Sequence, residues 1–276
     1  MKKILVPTDF TDVANYALSM AQKIASKLEA EITLLHVVNT PSGVLTDNDG
    51  HVIDDGENDL KAYYQSLEKG KKQMAALEAD LPKGIRTSVV EGVLNQAIVE
   101  FIKNERIDLV VMGTKGSSGL REILQGSETE IIVRKSPVPV LSLMCDRSNI
   151  QLEKILLVHD FKKAIVQDLE IHKALMAAFD AKLHLLKIID GDESELVTEK
   201  EMREFAKAND LDSAVFHIFN DSDVEDGITH FLQEQDFDLL SIGTHGHKGF
   251  KHWLNGSVAE DLVNHLHKPI LTFHLN

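Results

Sequence analysis

The chain has 276 residues, 43% apolar and 26% charged, with 44 acidic against 29 basic side chains and a formal net charge of −15. Its length suits two α/β units of roughly 140 residues, and its composition excludes a disordered chain. The acidic balance argues against a nucleic-acid or anionic-membrane partner, because such affinity comes from Lys and Arg displacing counterions, and the single Cys145 excludes an intrachain disulfide or a cysteine-based metal centre.

Met1-Lys2-Lys3 runs directly into the strand-like Ile4-Leu5-Val6, and no apolar run nears the ~20 residues of a membrane span, so a cytoplasmic location is expected. Next, Val13, Ala17, Leu18, Ala21, Ile24, Ala25 and Leu28 recur at helical spacing and mark one buried face. A second strand is predicted over Ile32 to Val38. The polar stretch Ser42 to Gly56 follows, with Asp47, Asp49, Asp54, Asp55 and His51. It lacks the spacing and terminal Glu of a calcium loop and reads as a solvated loop. Asp108 to Met112 and Val138 to Leu141 give further strands of the first half.

The elements then begin again. Lys154-Ile155-Leu156-Leu157-Val158-His159-Asp160-Phe161 repeats Lys3 to Phe10, and Leu183 to Ile189 repeats Ile32 to Val38 at the same offset. Asp238-Leu239-Leu240-Ser241-Ile242-Gly243-Thr244 repeats Asp108 to Thr114, and Pro269-Ile270-Leu271 repeats Pro139-Val140-Leu141. Two tandem domains, 1–146 and 151–276, are therefore expected. Each alternates strands and helices, as a doubly wound parallel sheet does. Val138 to Leu143 and Ile270 to Phe273 are expected to pair edge to edge, making an intrachain pseudo-dimer that covers two strand edges.

The main chemical signal follows the fourth strand of each half. Gly113-Thr114-Lys115-Gly116, nine residues and Gly126-Ser127 recur as Gly243-Thr244-His245-Gly246, nine residues and Gly256-Ser257. Glycines let successive N–H groups converge on an anion, and a serine at a helix start adds a cap or a phosphate ligand. In a doubly wound sheet the first and fourth strands flank the switch point, where ligands bind. Asp9 and Asp160, just past the first strands, are thereby brought to Gly113 and Gly243. An acid facing an anion cradle suits a nucleotide; the carboxylate can take a ribose hydroxyl, a base edge or Mg²⁺. No P-loop run is present, and the first strand-to-helix turn lacks a dinucleotide fingerprint.

Lys3 to Phe10, Leu34-Leu35-His36-Val37, Val111-Met112-Gly113 and the G-x-x-G-x₉-G-S run resemble the universal stress protein family, once in each half. The resemblance implies adenine nucleotide alpha hydrolase-like domains with strand order 3-2-1-4-5, and ATP or AMP as ligand. It places Pro7, Thr8, Asp9 and Val37 around the adenosine, and Met112, Gly113, Gly116, Gly126 and Ser127 around ribose and phosphates. The matching positions are Asp160, Ile188, Ile242, Gly243, Gly246, Gly256 and Ser257. Val158-His159 in place of Pro7-Thr8, Ser222 in place of Gly92 and His245 in place of Lys115 predict a different turn and a weaker second site. Eleven of the thirteen histidines lie in the second half and are expected to be solvated or to face the nucleotide.

The function implied is a nucleotide-binding stress sensor or regulator that acts on a protein partner, as a pseudo-dimer or a homodimer of chains. The alternatives are a slow Mg²⁺-dependent ATPase, at most a weak enzyme, and a nucleotide-free scaffold. Catalysis needs a positioned water or nucleophile with metal beside the terminal phosphate, and Asp9 is the sole acid near the nest.

Overall fold

The structure is a computed structural model and describes residues 1–40, 45–46, 52–53, 57–114, 128–147, 149–161, 168–189, 191, 193–244 and 268–274. The first half holds β1 (Lys3–Pro7), α1 (Asp12–Leu28), β2 (Glu31–Asn39), β3 (Leu45–Thr46), β4 (Val52–Ile53) and α2 (Glu57–Asp80). It continues with β5 (Ile85–Gly92), α3 (Leu94–Glu105), β6 (Leu109–Gly113), α4 (Glu128–Lys135) and β7 (Val140–Leu143). The second half holds β8 (Lys154–Val158), α5 (Glu170–Phe179), β9 (Lys182–Ile189) and α6 (Glu195–Ala208). It ends with β10 (Val215–Asn220), α7 (Val224–Glu234), β11 (Leu239–Thr244) and β12 (Ile270–His274).

Ten strands form one sheet in the order β10-β9-β8-β11-β12-β7-β6-β1-β2-β5. Numbered within its own half, and leaving out the short β3 and β4, each set of five runs 3-2-1-4-5. All neighbours are parallel except β7 and β12, which meet antiparallel with Leu141 opposite Leu271 and Val140 opposite Thr272. The two expected sheets are thus joined into one, sealed at the seam. Among the described residues of the 42–56 stretch, β3 and β4 pair antiparallel, Leu45 with Ile53 and Thr46 with Val52. Asp47, Asp49, His51, Asp54 and Asp55 lie outside the described residues.

The repetition in sequence is a repetition in backbone. Asp108 Oδ2 accepts the N–H groups of Lys2 and Lys3 at 2.6 and 2.9 Å, and Asp238 Oδ2 accepts those of Glu153 and Lys154 at 2.8 Å each. Each carboxylate satisfies orphan donors where the first strand of its half enters the sheet. Helices α1 and α5 both end on a left-handed residue, Glu29 (φ 53°) and Asp180 (φ 55°), whose N–H returns to Ala25 and Met176 respectively.

The central strands are buried on both sides, as a sheet covered by helices requires. On the face carrying α1, α2, α5 and α6, one core runs through both halves, from Ile4, Ile24 and Leu34 to Leu141, Ile155, Leu175 and Phe205. On the other face the cores stay separate, one around Leu5, Ile98 and Met112 and one around Leu156, Ile188 and Phe231.

Candidate functional site

Parallel β1 and β6 lie side by side, Ile4 opposite Leu109 and Leu5 opposite Val110, at the point where the order of the first half reverses. Their carboxyl ends open into a cavity of about 370 Å³. Pro7, Thr8, Asp9, Val37, Met112 and Gly113 all line it. The rest of the wall comes from Thr11, Val13 and Ala14 at the start of α1, Leu35, His36 and Asn39 of β2, Leu94 and Ile98 of α3, Thr114, and Ile132 of α4. The apolar contributions of α3 and α4 are hard to read in sequence, because core-facing and cavity-facing positions look alike.

The turn after β1 shapes the polar rim. Thr8 donates its N–H to Leu35 O at 2.8 Å, prolonging the ladder by one residue. Its hydroxyl accepts Phe10 N at 3.0 Å, and Phe10 takes a left-handed φ of 65°. Asp9 Oδ1 accepts both the N–H and the hydroxyl of Thr11, at 3.1 and 2.6 Å. Thr11 Oγ1 in turn caps Ala14 N at 3.4 Å. The carboxylate is therefore anchored through one oxygen. The described residues supply no hydrogen bond to Oδ2.

His36 fixes the same turn from behind. Its Nδ1 lies 2.9 Å from the Thr8 carbonyl, which can only accept, so Nδ1 carries the proton. The ring packs on Phe10 with centroids 4.5 Å apart. Gly70, mid-helix in α2, leaves room for it, since a Cβ there would stand 2.8 Å from His36 Cδ2. Gly113 has a similar use. A Cβ would sit 2.6 Å from the Val13 carbonyl oxygen, so this glycine admits the first turn of α1 against β6. That role is close packing of helix on strand, beside its place in the cavity wall.

In the second half, Asp160 is exposed after β8, Ile188 is buried on β9, and Ile242 and Gly243 lie on β11 beside β8. The turn differs less than the residues predict. His159 donates its N–H to Leu186 O at 3.2 Å, its Nδ1 accepts Phe161 N at 2.8 Å, and Phe161 has a φ of 54°. An imidazole nitrogen replaces the threonine hydroxyl and the backbone stays the same. Ser222 matches Gly92 only when counted back from the helix. By sheet register Val38 pairs with Glu91 and Ile189 with Asn220, so Asp221 takes the place of Gly92 and this connection is one residue longer.

Gly116, Gly126, Ser127, Gly246, Gly256 and Ser257, with Lys115 and His245, lie outside the described residues. Three histidines of the second half pack against aromatic rings instead of standing free in solvent. His172 is fully buried, and burial holds its pKa down to about 3. His184 is lowered to about 4, first by burial and then by His217, Lys154 and Lys182; His217 is lowered by burial. These two rings stack with Nδ1 and Nε2 2.8 Å apart. Burial favours the neutral form of all three rings.

The family model described as "Universal stress protein family" matches residues 1–143 and again residues 152–274. The chain belongs to the universal stress protein family. Over half of this chain it is 32% identical to the universal stress protein MJ0577 of Methanocaldococcus jannaschii, covering 93% of that protein. With the universal stress protein Slr1230 of Synechocystis it shares 22% identity over 99% of this chain and 100% of that protein. Among solved structures, a universal stress protein from Archaeoglobus fulgidus matches 99% of this chain and 96% of that one, at 22% identity and a TM-score of 0.68. That last likeness shows the fold of a tandem universal stress protein. No described helix of this universal stress protein is long and apolar enough to cross a membrane.

Proposed function

We propose that the first half of this universal stress protein, within a domain spanning 1–146, binds an adenine nucleotide, ATP or AMP, in the cavity at the β1–β6 switch point. The second domain spans 151–276. The observation that carries this is the pairing of apolar walls with a single anchored carboxylate. Leu35, Val37, Ile98 and Met112 offer a surface for a purine, and Asp9 at the rim offers an acceptor for a ribose hydroxyl or the base edge. The volume suits an adenosine moiety with its phosphates leaving past Gly113 and Thr114; Gly116, Gly126 and Ser127 are assigned to the phosphates by family resemblance. The N-termini of α1 and α3 border the cavity and favour an anion there.

The reading is of a sensor, not a catalyst: occupancy changes contacts with a protein partner in the cytoplasm. Among the described residues, Asp9 is the one carboxylate lining the cavity, and His36, the one imidazole, is committed to the Thr8 carbonyl. Among the described residues no group of three or more His, Cys, Asp or Glu is placed to hold a metal. Mg²⁺, if carried, would come with the phosphates and, among the described residues, meet Asp9.

The second half is the weaker site. A Cβ on Gly227 would stand 2.6 Å from Ile188 Cγ2, so α7 lies close over the position that Val37 holds in the first half. Titration calorimetry with ATP and AMP tests both points. Asp9→Ala weakens tight binding by about tenfold or more, the scale of one hydrogen bond to a charged group. Asp160→Ala leaves it unchanged. Equal binding by wild type and Asp9→Ala contradicts the site, and loss only in Asp160→Ala reverses the ranking.

A further inference from the structure

The β7–β12 seam uses up one edge of each half and leaves β5 and β10 as the two outer edges of the ten-stranded sheet. Edge strands expose unpaired N–H and C=O groups, and proteins that stay single usually blunt them with charge, proline or bulges. β5 is blunted. It carries Arg86, paired with Glu31 at 3.0 Å, together with Thr87, Ser88 and an exposed Glu91. β10 reads Val215-Phe216-His217-Ile218-Phe219-Asn220 and has neither charge, proline nor glycine. Its first five residues are all half-buried.

A second apolar feature adjoins this edge. Leu196 and Val197, in the first turn of α6, are 78% and 55% exposed, and Val224 opens α7 at 41%. Helices α6 and α7 cover the two faces of β10, and Asn220 Nδ2 donates to Glu195 Oε1 at 3.0 Å, tying the strand end to the start of α6. Three of the five exposed large apolar side chains among the described residues therefore flank one end of one edge strand.

We propose that β10 is a docking edge for a second copy of this chain, which adds its own β10 antiparallel across a two-fold axis. A two-fold interface must be self-complementary. β10 meets that condition because its apolar pattern reads alike in both directions from His217. Pairing centred on His217 sets Phe216 opposite Ile218 and Val215 opposite Phe219, on both strands. The same axis brings the first turn of α6, which carries Glu195, to the last turn of the second copy's α6, which carries Lys207. Opposite charges then meet, and Leu196 and Val197 are covered. The chain already joins its own halves by antiparallel edge pairing at β7 and β12. A foreign strand would satisfy the backbone equally, but the self-complementary apolar pattern of β10 and the approach of Glu195 to Lys207 on the α6 face favour a copy of the chain.

Light scattering behind size exclusion, run on the full chain from about 1 to 100 µM, a span that covers ordinary dimer affinities, tests this. The expected mass is twice the 30.7 kDa of one chain. Ile218→Lys returns it to that of a single chain, while Val89→Lys on β5 leaves it doubled. Circular dichroism checks that each variant keeps its fold. If Ile218→Lys does not fold, amide exchange on wild type replaces it, with residues 215–220 gaining protection as concentration rises. A single-chain mass for wild type at every concentration overturns the proposal. So does a dimer that Val89→Lys breaks, or exchange at 215–220 that ignores concentration.

Discussion

His172 has its Nε2 2.6 Å from Ser241 Oγ and its edge against Phe273, at a place where the first half sets Ala21 against Val111. Its Nδ1 is buried with no hydrogen-bond partner, so the ring can only be neutral there. Replacing Ser241 by Val, the residue of the other half, strands Nε2 as well and is expected to cost about 1–3 kcal/mol. The double change His172→Leu with Ser241→Val recovers most of that, as paired apolar replacement does; urea unfolding reads both. His172 and His184 also set a pH dependence. Folded, each has a pKa below its ordinary 6.5, so below that pH the unfolded chain binds more protons. Stability is full above 6.5 and falls towards pH 4, with a slope of about 1.4 kcal/mol per pH unit for the fully buried His172. His230, raised by its hydrogen bond to Asp221, shifts the opposite way, but it is exposed and solvent screens it. A urea midpoint that is the same at pH 7 and pH 5 contradicts this.

At the scale of elements, the turn between β1 and α1 joins fold to site. Thr11 caps α1 and holds Asp9, so Thr11→Ala removes a helix cap, worth about 1 kcal/mol, and frees the carboxylate. The expected result is a lower melting temperature together with weaker nucleotide binding; weaker stability with unchanged binding would separate the cap from the site. Much of this was legible in the amino acids. Lys3 to Phe10 and its copy at Lys154 to Phe161 placed both first strands and both acids, because buried parallel strands need continuous apolar runs. The shared turn was not legible, since nothing about histidine announces that Nδ1 can replace a threonine hydroxyl. Nor was the burial of His172, or the half-burial of His184 and His217, because composition does not say which side of a helix or strand meets the core. The β3–β4 pairing rests on two residues per strand, too few to carry a period.

Across the whole molecule, two halves share one sheet and one continuous core on the α1 and α5 face, while the cores on the opposite face remain private to each half. Tandem repetition let the seam be anticipated from Pro139-Val140-Leu141 and Pro269-Ile270-Leu271; the difference between the outer edges β5 and β10 emerged only once the strand order was known. We propose one strong nucleotide site per chain for this universal stress protein, in the first half. Denaturing freshly purified protein, with the released small molecules identified by chromatography and mass spectrometry, tests that most directly. The expected result is ATP, ADP or AMP released from wild type at close to one per chain, and its loss from Asp9→Ala. Protein that releases no adenine nucleotide, and whose melting temperature does not move in excess ATP or AMP, would contradict it.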